Sequence, residues 1–175
     1  MTVRVDWRTV CGVDRTTGSL ATTYHGVLHA PRPLVYLAAA LSVAAGSVHL
    51  AYAASHFEEW WGYGVFFLAA GNLQILFGVL LVWRPHRWLP LAGVVGNLAI
   101  VTVYVISRTS GVPLGPHARV VEHAGTLDWV TTAAQVAIIV ALLAMLDGRV
   151  RRWIINGLMT LGVLAWLLRL SGGLQ

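Results

Sequence analysis

The chain has no lysine, a single cysteine and very little charge. All 12 basic residues are arginine, and charged residues make up 11% of the 175. Soluble domains carry about 25% charged residues. A chain that is 57% hydrophobic, with a mean hydropathy of +0.71, has too little polar surface for a water-facing globule. It reads as a protein whose solvent is a bilayer. The lone thiol, Cys11, excludes an internal disulfide and any CxxC motif, and it reads as an inert side chain. There is no P-loop, no Rossmann fingerprint and no HExxH. The missing lysine, beside abundant Ala, Val and Gly, marks a GC-rich genome.

Charge is also missing in blocks. A spanning helix needs about 20 apolar residues, and the charge-free runs give five candidates. The expected fold is therefore all-α: a polytopic transmembrane helix bundle with spans at about 33–57, 60–83, 88–107, 129–146 and 153–171. The fifth has a charge-free core of 153–168 and continues only if Arg169 snorkels. A surface or partly inserted helix is its alternative. Trp60, Trp61, Trp83, Trp88, Trp129 and Trp153 fall at these limits, where an indole suits the headgroup layer.

Arginine sets the orientation. The N-terminal segment 1–32, "RPHR" and "DGRVRR" hold nine of the 12, and Arg108, Arg119 and Arg169 lie on the other side. The positive-inside rule puts the N-terminus in the cytoplasm and the C-terminus outside, in the plasma membrane of a bacterium. Arginines scattered between apolar runs exclude a nucleic-acid face. The first apolar stretch starts too late and runs too long for a signal peptide, so segment 1–32 stays with the mature chain. In it "TVRVDWRTV" alternates like a strand or an extended arm, and "YHGVLHAPRP" suits the membrane surface. Inner loops are tight. The outer loop 108–128 is long, as functional loops are; "GVPLGP" supplies turns and "HARVVEHAG" is expected to form a short surface helix.

The topology gathers His49, His56, Glu58, Glu59, His117, Glu122, His123 and Asp128 on the outer side. Imidazole and carboxylate are the usual ligands of zinc, copper and non-haem iron. The four histidines are thus candidate metal ligands, and the four acids are ligands or their hydrogen-bond partners. Spacing argues against it. Residues seven apart on a helix rise about 10.5 Å, so one ion takes both His49 and His56 only if the helix opens near Ser55. His117 and His123, six apart, do not form an i,i+4 clamp. Haem b needs two axial ligands at similar depth, which His49 and His123 supply only if the fourth span starts before 129. The plainer reading has the acids solvating the surface, with Arg108 paired to one of them.

His49 escapes that plainer reading, because an imidazole inside an apolar span is costly and needs a partner. Asn72, Gln74, Asn97 and Gln135 offer one. They read as interhelical hydrogen bonds or, more sharply, as a polar pocket around His49 open to the outer face. Gly71 and Gly78, like Gly93 and Gly96, permit close helix packing. His25 and His29 are i,i+4, but Gly26 and Pro31 argue against a helix there; His86 faces lipid phosphates. No span carries a carboxylate and no inverted repeat is present, so coupled transport lacks its parts.

The run "HLAYAASHFEEWWGYGVFFLAAGNLQ", with "SRTSGVPLGP" downstream, resembles small polytopic proteins of unknown function from GC-rich bacteria. The resemblance covers the first four spans and implies a membrane location and an outward polar loop. It implies no activity. Two functions are expected. One is a non-catalytic accessory or assembly subunit of a larger membrane complex, respiratory for example, whose partners are the lipid bilayer and other subunits or further copies of itself. The other is a metal- or haem-binding membrane protein using the outer His and carboxylate cluster.

Overall fold

The computed structural model of the protein describes residue 28 and residues 30–171. The N-terminal strand or arm, Cys11, His25 and His29 lie outside the described residues. Five helices follow in order: α1 Arg32–Glu59, α2 Trp61–Trp83, α3 Leu89–Thr109, α4 Thr126–Met145 and α5 Gly148–Leu170. The described residues contain no strand. The first four helices are long and apolar enough to cross a membrane.

Their limits follow local chemistry. Pro33 and Pro90 stand in the first turns of α1 and α3, where the missing N–H costs nothing. One extended residue, Trp60, separates α1 from α2: its N–H closes α1 on His56 O, and its C=O accepts from Tyr63 and Gly64 to open α2. At the start of α4, Asp128 Oδ2 accepts from Gly125 N–H at 2.8 Å, satisfying a donor that the first turn leaves free. That cap starts α4 three residues before the expected limit of 129. The arginines 149, 151 and 152 lie inside α5 and not in a loop before it, because charge ends a membrane span but not a helix.

The segment "HARVVEHAG" forms no helix, contrary to expectation. Residues 116–119 make a turn and 120–125 run without regular structure. Gly111, Gly115 and Arg119 all take positive φ, which interrupts helical geometry. Arg119 N–H bonds Val112 O and Glu122 N–H bonds Ser107 O, so the loop folds back on the end of α3.

Helices α1 and α2 form the tightest pair. Buried Ala39, Ser42, Gly46, His49 and Ala53 alternate at three- and four-residue steps on α1, and Gly64, Gly71 and Gly78 recur every seven residues on α2. This is an antiparallel seam of small residues, which lets backbones approach closely. A Cβ on Gly46 would lie 2.7 Å from Gly71 O, and one on Gly78 would lie 2.9 Å from Ala39 O. Gly93 also faces a neighbour, with Phe77 2.4 Å from its would-be Cβ, whereas Gly96 has nothing within 4 Å.

The bundle has two unlike halves. At the end carrying Pro85, Ala38, Leu81, Leu89, Val94, Ile138 and Leu142 make a close-packed apolar core. Midway, Gln74 Nε2 donates to Gln135 Oε1 at 2.8 Å and to Asn97 Oδ1 at 3.3 Å. Asn97 Nδ2 donates to Gly93 O, and Ser42 Oγ to Gln74 O. Beyond this amide layer, at the end carrying Trp60, the helices part. Helix α5 stands largely apart from the rest: Ile154 packs against the core, while most of its side chains are exposed.

Candidate functional site

The space at the Trp60 end is a partly open cavity of about 550 Å³, within the usual range for small-molecule sites, ~300–1,000 Å³. Four helices and one loop build it. His49, Tyr52 and His56 face it from α1, Phe66 and Phe67 from α2, Tyr104, Ser107 and Arg108 from α3, and Thr132 and Gln135 from α4. Trp60, Tyr63, Leu114 and Glu122 stand at its mouth side. Each wall is a stripe at helical spacing, 49–52–56 on α1, 101–104–108 on α3 and 128–132–135 on α4.

His49 is 6% exposed. Its Nδ1 lies 2.8 Å from Ala45 O, one helical turn back. A carbonyl only accepts, so Nδ1 carries a proton, and in the neutral imidazole Nε2 is the nitrogen with the lone pair. Nε2 has no hydrogen-bond partner among the described residues. His56 repeats the arrangement on Tyr52 O at 2.8 Å. The Phe67 ring stacks on His56 with centroids 3.7 Å apart and leans on His49 at 5.4 Å. Helix α1 runs unbroken through Ser55 to Glu59, so the opening that would bring both imidazoles to one ion is absent. No group of three or more His, Cys, Asp or Glu positioned to hold a metal ion occurs among the described residues.

Arg108 ties the rim together. Its NH1 lies 2.9 Å from Glu122 Oε2 and its NH2 3.0 Å from Asp128 Oδ2. The expected ion pair is therefore double, and both acids come from the loop and α4. Tyr63 O–H donates to Leu114 O at 2.7 Å, fastening the loop over the mouth. Arg108 also lies over the Tyr104 ring, 5.2 Å from its centroid.

The candidates chosen from sequence separate into two groups. His49, His56, Glu122, Asp128, Arg108 and Gln135 all line the cavity, and Gln74 and Asn97 support its floor. Glu58, Glu59, His117 and His123 are exposed and do not line it. His49 lines this cavity and His123 does not. Asn72 is exposed and turns back on Leu68 O, outside the amide layer. Sequence reasoning missed Tyr52, Tyr63, Phe67, Tyr104 and Ser107. The spacing of Asn97, Tyr104 and Arg108, seven and then four residues along one apolar run, was the available signal.

Four buried polar atoms, from the amide layer to the rim, have no hydrogen-bond partner among the described residues: Gln74 Oε1, Gln135 Nε2, Tyr104 OH and Arg108 Nε. Three belong to residues in the cavity wall. Such a group costs roughly 1–3 kcal/mol while it stays unpaired. No protein-family model matches the chain, and neither a curated protein nor a solved structure is similar to it.

Proposed function

We propose that this chain is a multi-pass protein of the bacterial plasma membrane that holds a lipophilic small molecule in the cavity at its outer face. One observation carries the reading: a partly open, aromatic-lined cavity of about 550 Å³ at one end of the bundle. A purely structural bundle gains nothing from leaving that half unpacked. Membrane insertion is supported by four long apolar helices, by large apolar side chains such as Leu73, Val95 and Val140 on the outside of the bundle, and by exposed Trp61, Trp83 and Trp129 at helix ends. Five spans with the Pro85 end in the cytoplasm agree with the arginine distribution.

Cysteine labelling of intact cells tests the orientation. In a Cys11→Ser background, Arg119→Cys is expected to react with an impermeant maleimide and Arg87→Cys is not. The opposite pattern overturns it. For the ligand, the neutral fluorophore N-phenyl-1-naphthylamine should bind saturably at one site per chain. Thr132 lines the cavity and makes no described hydrogen bond, so Thr132→Trp fills the space without removing one. We expect at least a tenfold loss of probe affinity with unchanged helicity. Equal binding by variant and wild type would place the probe elsewhere and remove the basis for the reading.

A second reading, the accessory or assembly subunit, draws on α5, most of whose surface is left exposed by the other four helices. It is compatible with the first, since a ligand-holding protein can also be a subunit. The metal version has less to support it, given the separated histidines.

A further inference from the structure

Helix α5 carries charge and polarity that the rest of the bundle leaves unanswered. Arg149, Arg152, Trp153, Asn156, Gly157 and Leu161 line one open, shallow groove along it. At about 3.6 residues per turn, this face points away from Ile154, the α5 side chain packed against the core. The groove is therefore on the outside of the bundle and, in a membrane, faces lipid.

Arg149 and Arg152 are exposed and form no ion pair among the described residues. Arg149 does not steady α5, since a cation in the first turn opposes the helix dipole and that turn holds no acid. The whole end is positive. The helix limits bring Arg32, Arg84, Arg87, Arg149, Arg151 and Arg152 to the Pro85 end, against Asp147 alone among the described residues. Asn156 lies about 6 Å further along the helix than Arg152. It is exposed, and its side-chain amide makes no described hydrogen bond. Thr160, on the same face, is satisfied by donating to Asn156 O at 2.9 Å. A bare amide is costly in hydrocarbon, so Asn156 asks for a partner that accepts from it.

The occupant that fits supplies an anion at the arginines, an acceptor one turn deeper and an apolar chain beyond that. A second copy does not. Two chains inserted alike and joined across this face would set their Arg149 and Arg152 against each other. A zwitterionic lipid has the phosphate but adds a cation to an end already rich in them. We propose that this face seats an anionic glycerophospholipid of the cytoplasmic leaflet. Its phosphate lies between Arg149 and Arg152, an ester carbonyl accepts from Asn156 Nδ2, and an acyl chain runs along Gly157 and Leu161. This rests on the membrane reading above and not on the cavity. The groove is open, so the lipid exchanges with the leaflet and has to be caught in place.

Photocrosslinking of the full-length protein in phosphatidylcholine liposomes does so. The liposomes carry a trace of phosphatidylglycerol or of phosphatidylcholine with a diazirine at the top of one acyl chain, and peptide mass spectrometry maps the adducts. Wild type is expected to give at least tenfold more phosphatidylglycerol than phosphatidylcholine adduct on residues 153–161. Arg149→Gln with Arg152→Gln should bring the first down to the second. Arg84→Gln with Arg87→Gln removes the same charge from the same end and should leave the ratio within about twofold of wild type. Asn156→Leu should lower the phosphatidylglycerol adduct about threefold with the charge unchanged. Thr132→Trp, which fills the cavity, should change nothing on α5. Equal yields from the two lipids, or equal losses in the two arginine pairs, overturn the proposal, the second by leaving only the general field of that end. Loss of the adduct in Thr132→Trp would place the lipid in the cavity and overturn it as well. If α1 to α4 are labelled and 153–161 is not, protein covers the face and the seat fails while the membrane reading stands; if no helix is labelled, both fail.

Discussion

Gly46→Ala is expected to cost about 3 kcal/mol of stability, although the added group is one methyl. The new Cβ would lie 2.7 Å from Gly71 O, 2.9 Å from Ile75 Cγ1 and 3.1 Å from Gln74 Cβ. Two of these are backbone or Cβ atoms, which a rotamer change cannot move away. The helices must separate, and the loss spreads along a seam in which Gly71 and Gly78 meet α1 as closely. Close contact of this kind is what holds helix pairs together in lipid, where no hydrophobic force acts between them. Gly96→Ala is the matching control. Nothing lies within 4 Å of its would-be Cβ, so only helix propensity acts and the change should be neutral or stabilising by up to about 1 kcal/mol. Thermal or denaturant unfolding of the two purified variants in the same detergent measures the contrast. Equal melting of Gly46→Ala and wild type would mean that α1 and α2 do not meet as described.

Gln74→Leu should be the next most damaging change, at about 2–4 kcal/mol. Gln74 Nε2 is the one described donor to both Gln135 Oε1 and Asn97 Oδ1. Removing it leaves the Gln135 side-chain amide with no described hydrogen bond, since its Nε2 has none already. Leucine is close in size, so the loss is of polarity and not of volume. The coupling is the diagnostic part. Gln74→Leu with Gln135→Leu should cost less than the sum of the two single changes, because the second removes a group that the first had stranded. Strict additivity in the double-variant cycle would show that the two amides do not share a bond.

Much of the fold could be read from the chain because long apolar helices are written in long charge-free blocks. Charge-free runs and boundary tryptophans located α1 to α3 to within two residues at each end. The errors lie where local chemistry overrides hydropathy. Asp128 caps α4 ahead of its apolar run, and Arg149 to Arg152 continue α5 beyond its own. The loop 110–125 was misread for a related reason. "HARVVEHAG" has fair helix propensity, but positive φ at Gly115 and Arg119 directs the chain back over the cavity.

The site was legible in part. His49 stood out because an apolar span makes a histidine expensive, and Gln74, Asn97 and Gln135 stood out likewise. Their meeting at one depth needed the bundle itself. His56 and His49 are seven residues apart in sequence, yet what relates them is Phe67 from another helix. Tyr104 and Phe67 are ordinary residues for a membrane span and give no signal singly. The exposed histidines of the loop, His117 and His123, carried as much weight as His49 when only residue type was considered.

Native mass spectrometry of the full-length protein, released from the mildest detergent that keeps it folded, tests the central claim most directly. The account predicts a wild-type chain carrying one lipophilic molecule of defined mass, and a Thr132→Trp chain of equal helicity without it. A wild type with no adduct, or an adduct equally retained by Thr132→Trp, would contradict the claim that the cavity exists to hold a ligand.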